Sequence, residues 1–188
     1  MNPIKALLTI LGLTLIVGCA APTNNTFKIT GEHLITPYYK DLEGWVVNEQ
    51  QLKDFSSRTW LNPQRGMGDA YSMSLFVNSS VSTVEQREEI DRPGFEACDR
   101  FESITLAYPD TAVYPIEYWE THCENDNGTR AKLLHLMLVG EKGLYHIQKS
   151  WQGEFSADTV KQWKRRFQSV YLCHTQNDAM PCPNRLDE

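Results

Sequence analysis

The sequence predicts an α+β fold: an antiparallel sheet with helices packed against it, stabilised by disulfides into a single domain. Three observations carry this prediction. Residues 130–152 alternate apolar and polar side chains on either side of a short glycine-flanked turn, the pattern of two paired strands. From Ser156 onward, apolar residues recur at helical spacing. Beyond the first 19 residues the chain holds four cysteines, Cys98, Cys123, Cys173 and Cys182, an even set that suits disulfides in an exported protein.

Export is read from the N-terminus. One basic residue, Lys5, precedes an apolar run over residues 6–17 that is broken only by Thr9, Gly12 and Thr14. The run is shorter than the roughly 20 residues that span a bilayer, and its order of basic, apolar and small residues is that of a signal peptide. An ordinary secretory peptide and a buried apolar helix are the competing readings. The run closes on Ile16-Val17-Gly18-Cys19, which resembles the lipobox of bacterial lipoproteins, with Ile16 where Leu is usual. That resemblance implies removal of residues 1–18, acylation of Cys19 with palmitate among the chains, and attachment to the membrane through the N-terminal lipid. Ala20, rather than Asp, follows the cysteine, which implies the outer membrane, with the domain facing the periplasm. One acyl chain holds a protein only weakly, at about 0.8 kcal/mol per buried methylene, whereas two or three hold it permanently. Residues 19–30 are small and polar and read as a tether, reaching about 30–35 Å at roughly 3.3 Å per residue. Residues 31–188 read as one globular domain.

Within that domain, strands are expected at 44–48, 70–77 and 113–123. Ser82-Thr83-Val84-Glu85 has the spacing of a capping box opening a helix through Ile90. Pro93 and Gly94 interrupt it, and residues 95–104 resume helical spacing through Phe95, Cys98 and Phe101. In the late hairpin, Gly140-Glu141-Lys142-Gly143 forms the turn. If Val139 faces Leu144, then Leu134, Leu136, Leu138, Tyr145 and Ile147 share one sheet face. The last helix carries Val160, Trp163, Phe167 and Val170 on one side, with Ser156 or Asp158 as its cap. Lys161, Lys164, Arg165 and Arg166 occupy its other sides and complement the C-terminal end of the dipole. They read as a solvated face in preference to a patch for anionic partners.

Four cysteines allow three pairings. Cys98–Cys123 with Cys173–Cys182 is preferred, the second closing a short loop that contains Asn177, Asp178 and Pro181. A four-cysteine zinc site would lack any C-x-x-C pair, and no cysteine remains over as a nucleophile. Strands around Trp45, a crossing helix, a late hairpin and a terminal Trp/Phe helix resemble the PsbP/Mog1-type fold of some envelope lipoproteins. Residues 144–153, the helix after them, and Cys173 with Pro181-Cys182-Pro183 are also similar to uncharacterised proteobacterial lipoproteins over roughly the last third of the chain. Neither resemblance carries catalytic residues.

The 188 residues include 18 Lys and Arg against 24 Asp and Glu, net −6. Lys5 is the only charge in the leader, so the remainder holds 17 against 24, net −7. That balance argues against nucleic acid or anionic lipid as a partner. The sequence contains no G-x-S-x-G, H-E-x-x-H, phosphate-binding loop or dinucleotide fingerprint. Gly66-Met67-Gly68-Asp69 reads as a turn, and a strand with a disulfide accounts for Tyr118, Trp119, Glu120, His122 and Cys123. His135 and His146 face the side opposite the leucines. With His122 from the preceding strand they form a three-imidazole candidate for Zn or Cu, against the plainer reading of structural histidines. No catalytic residue and no cofactor is assigned. Five Trp, eight Tyr and seven Phe exceed what one core of this size needs, so some are expected on an exposed recognition surface. The expected function is protein binding in the envelope, as an accessory of assembly or secretion, or as immunity against a periplasmic toxin. The alternative is a metal-dependent or carboxylate-based enzyme acting on cell-envelope substrates.

Overall fold

The alternation over residues 130–152 builds the centre of the molecule. The computed structural model describes residues 28–36, 39–79, 82–109, 113–178 and 181–182; the leader, Cys19 and most of the tether lie outside them. In chain order the elements are β1 (Lys28–Ile29), β2 (Glu32–Ile35), a single 3-10 turn at Lys40–Leu42, β3 (Val46–Gln51), β4 (Phe55–Asn62), β5 (Gly66–Val77), α1 (Thr83–Ala97), β6 (Arg100–Thr105), β7 (Ile116–Glu124), β8 (Arg130–Val139), β9 (Gly143–Gln152), α2 (Ala157–Phe167) and β10 (Tyr171–His174). Seven strands form one antiparallel sheet in the order β3-β4-β5-β9-β8-β7-β6, and β1-β2-β10 form a second, small one. The architecture is sheet-dominated: 49% of the described residues are in strands, accompanied by two helices.

The β8–β9 hairpin takes the expected register, Val139 opposite Leu144 and Leu136 opposite Ile147. Its turn is closed by Gly140 N donating to Gly143 O at 2.8 Å. Leu134, Leu136, Leu138, Tyr145 and Ile147 are all buried on one face. Fully burying an aliphatic side chain of this size stabilises the fold by about 1.5–3 kcal/mol. Helix α2 covers that face. Ser156 Oγ accepts from Thr159 N at 3.0 Å, satisfying one donor that the helix start leaves unpaired. Val160, Trp163 and Phe167 turn inward. Val170 keeps the apolar rhythm but lies beyond the helix, where it and Leu172 seal the small sheet onto the same core.

Elsewhere the structure departs from the sequence pattern. Strand β4 was not expected. It is rich in Ser, Thr and Arg, and its alternation becomes apolar-facing only through its partner β5, with Trp60 opposite Tyr71 and Ser56 opposite Leu75. Residues 95–104 are not a second helix. The capping box forms, with Ser82 Oγ accepting from Glu85 N at 3.2 Å, and α1 continues through Pro93 to Ala97. There the proline forgoes one helical bond while its ring lies on the exposed side. The chain then becomes β6, because pairing with β7 (Phe101 opposite Cys123, Ser103 opposite Thr121) outweighs helical spacing. Residues 28–30 do not belong to a free tether: Lys28–Ile29 pair with β2, and Ile29 is buried. Two bridges close the chain on itself, Cys98–Cys123 between α1 and β7 and Cys173–Cys182 beyond β10.

Candidate functional site

A groove opens where the small sheet meets the large one. Its floor is Ile116 and Leu138, its walls are Tyr108, Pro109, Val113 and Tyr114 on one side and Gln168–Leu172 on the other, and its cavity measures about 330 Å³. None of the residues lining it is charged. The walls are held rigidly. Tyr108 donates its hydroxyl to Val170 O, Gln168 Nε2 donates to Ala107 O at 3.5 Å, and Val139 N donates to Pro115 O at 3.0 Å. Burial pushes the Tyr108 hydroxyl up to about 12, so it stays a donor at any physiological pH. Tyr114 places a hydroxyl within the protein that has no hydrogen-bonding partner among the described residues. Burial first, then the nearby Glu32 and Glu141 carboxylates, hold it above the usual phenol range. Sequence reasoning missed this site. Its one legible trace is the pair of proline-flanked tyrosines, Tyr108-Pro109 and Tyr114-Pro115, in a segment read as the start of a strand that begins only at Ile116.

The histidines do not converge. His135 and His146 lie together on the face opposite the leucines, with Nδ1 of the first and Nε2 of the second 3.2 Å apart. Thr121 Oγ1 lies 3.3 Å from His135 Nε2. Trp119 stacks on His135 with ring centroids 4.6 Å apart, and its indole N–H donates to Asp91 at 3.1 Å. Burial drives both imidazoles toward the neutral form, His135 well below its usual value and His146 to about 4. His122, by contrast, stands on the leucine side. It pairs with Lys132 across the β7–β8 ladder, whereas His135 pairs with Trp119, three residues away in β7. An odd separation on a strand puts two side chains on opposite faces, so the three-imidazole candidate for Zn or Cu is overturned. Among the described residues no group of three or more His, Cys, Asp or Glu is placed to hold a metal.

His122 belongs instead to an ionic cluster around Glu120. That carboxylate lies 2.7 Å from Lys164 Nζ, 3.5 Å from Lys132 Nζ and 3.3 Å from His122 Nε2. Burial raises its proton affinity, but the Lys164 bond and the surrounding positive charges outweigh this, and it titrates below the usual carboxylate range.

Two further polar groups are sealed inside. Lys149, 1% exposed, donates to the Asp69 carboxylate, to Ala70 O at 3.2 Å and to Ser150 O at 3.1 Å. Its ammonium also lies 4.8–5.3 Å from the ring centres of Trp45, Trp151 and Trp163. Three acceptors saturate the three N–H groups, and three ring faces complete the enclosure. Glu32 accepts from Glu141 N at 2.6 Å and Tyr145 Oη at 3.0 Å.

The aromatic surplus is used internally. Trp119, Trp151 and Trp163 are buried, and Trp45 and Trp60 are half-buried. Trp60, Tyr71, Tyr39, Trp163 and Phe167 form one cluster with neighbouring centroids 5.2–6.4 Å apart. The expected tryptophan recognition surface is therefore absent from the described residues; among aromatics, Phe95 and Tyr171 are the large exposed side chains. No protein-family model matches this chain, and no curated protein matches it in sequence.

Proposed function

We propose that this chain is a protein-binding module of the bacterial envelope, a single α+β domain held at the outer membrane by an acylated Cys19 and facing the periplasm. Assembly or secretion accessory and immunity protein are the two tasks that suit such a module, and its likeness to PsbP/Mog1-type lipoprotein domains belongs to the same reading. One observation carries it: the groove beside β10 is uncharged and walled by tyrosine, proline and aliphatic side chains, the composition on which protein recognition concentrates. The groups that chemistry would need are engaged elsewhere. Lys149 is bonded to Asp69, His135 to His146, and Glu120 to two lysines.

The anchor and the partner are tested together. Cys19→Ser should leave an unprocessed precursor that takes up no labelled palmitate. Crosslinking in intact cells followed by pull-down of the acylated form should recover one protein in stoichiometric amount. A Cys19→Ser chain that matures and fractionates normally refutes the anchor, and a chain that crosslinks to nothing refutes the binding role.

A further inference from the structure

We propose that the groove beside β10 receives a short extended peptide of the partner, which adds to the free edge of β10 and sets apolar side chains on Ile116 and Leu138. The inference deepens the protein-binding reading and rests on it.

The backbone of β10 shows which groups are available. Thr175 N donates to Gly31 O at 2.8 Å, and the ladder pairs His174 with Glu32 and Leu172 with Leu34. Along an antiparallel strand the bonding residues alternate, so Tyr171, Cys173 and Thr175 bond to β2, while Leu172 and His174 direct their N–H and C=O away from it. At His174 that outer edge is already an interface: Pro181 bridges to it in parallel, tied there by the Cys173–Cys182 bridge. Leu172, two residues nearer the groove, presents the same pair of groups, and no described strand lies against them. The proposed peptide continues an edge that the chain's own C-terminal segment has begun to use.

The chemistry of the groove selects the occupant. Buried amide and carbonyl groups require partners, and a strand supplies both where an acyl chain supplies neither. Residues two apart on a strand point to the same side, so alternate side chains of the peptide enter together. A cavity of about 330 Å³ accommodates two of moderate size, and the uncharged lining calls for apolar ones. Strand addition of this kind draws affinity from main-chain bonds and selectivity from such pockets. Tyr114 offers the one unpaired hydroxyl in the wall.

The test uses the acylated chain purified from membranes in detergent. A heptapeptide display library is selected against it, and the enriched sequences are synthesised with a fluorescent label. Enriched peptides should carry apolar residues two apart. Binding should weaken at least ten-fold with Val113→Asp, a change at an exposed rim position, and at least ten-fold when the central peptide nitrogens are methylated. Amide exchange at Leu172 should slow at least ten-fold in the complex. Should Val113→Asp lose its native circular dichroism, Tyr171→Asp, also at an exposed position, takes its place. Failure to enrich any peptide overturns the inference, as does undiminished binding to the variant with unchanged exchange at Leu172. Binding of cis-parinaric acid in place of peptide, sensitive to Val113→Asp, overturns it in favour of a lipid groove. A cellular partner captured equally by the Val113→Asp chain removes the groove and leaves protein binding intact. Groove-binding peptides with no cellular crosslink do the reverse.

Discussion

Replacing Asp69 with Ala isolates the most demanding electrostatic arrangement in the molecule. It leaves the Lys149 ammonium in place, 1% exposed, with the carbonyls of Ala70 and Ser150 and three indole faces but no counter-charge. Breaking a buried ion pair from one side costs about 3–5 kcal/mol. The remaining acceptors place this site at the lower end, about 3 kcal/mol. For a domain of this size that corresponds to a melting point lower by about 6–12 °C. The pH dependence gives the sharper test. Burial already holds Lys149 below its ordinary value of 10.5, with Asp69 opposing the shift. A base whose folded pKa is depressed destabilises the fold fully below that pKa. The penalty is relieved as pH rises toward the unfolded value, because the unfolded chain binds the extra proton. Removing Asp69 depresses the folded pKa further, so the deficit against wild type should shrink steadily as pH rises toward 10. Urea unfolding of both proteins at pH 7, 8.5 and 9.5, followed by circular dichroism, measures it. Lys149→Met placed on Asp69→Ala should recover most of the loss, since an apolar group of similar length belongs among three tryptophans. A deficit under about 1 kcal/mol at pH 7, or one that stays constant with pH, refutes the assignment of a charged, Asp69-dependent Lys149.

The histidine pair should make the fold acid-sensitive. With His146 at about 4 when folded against 6.5 when unfolded, stability is unaffected above pH 6.5, falls between 6.5 and 4, and loses about 3 kcal/mol below; urea midpoints across that range should flatten in His146→Gln. The Cys98–Cys123 bridge spans 25 residues, so Cys98→Ser with Cys123→Ser should lose about 3.5 kcal/mol by loop-closure entropy, and disulfide mapping of the native chain should yield no free thiol at any of the four positions. Gly140→Ala would set a Cβ 2.2–2.3 Å from the Glu32 carboxylate and displace it from Glu141 N and Tyr145 Oη; a loss of about 1–3 kcal/mol in chemical denaturation is expected, and a neutral result would show that this carboxylate holds the turn only loosely.

Strongly periodic segments were legible because local pattern and tertiary role coincide in them. The β8–β9 register, the α2 face and the Ser82–Glu85 cap each follow from spacing alone, since the apolar period that names the element also names the surface it buries. The spacings of Cys98 with Cys123 and of Cys173 with Cys182 gave the preferred pairing for the same reason. Where the partner decides, the sequence was silent. Strand β4 is polar and becomes a strand only against β5, and residues 100–105 exchange helical spacing for the ladder bonds of β7. His122 misled because its facing depends on the β7 register, and a shift by one residue moves a side chain through the sheet. The tryptophans misled because composition counts aromatic rings without saying that three of them enclose Lys149 and a fourth stacks on His135. The groove is wholly tertiary: residues near 108–116 and 168–172 meet there because β10 joins β2 rather than the large sheet. No local pattern in either segment encodes that choice, which is made by the packing of one sheet on the other.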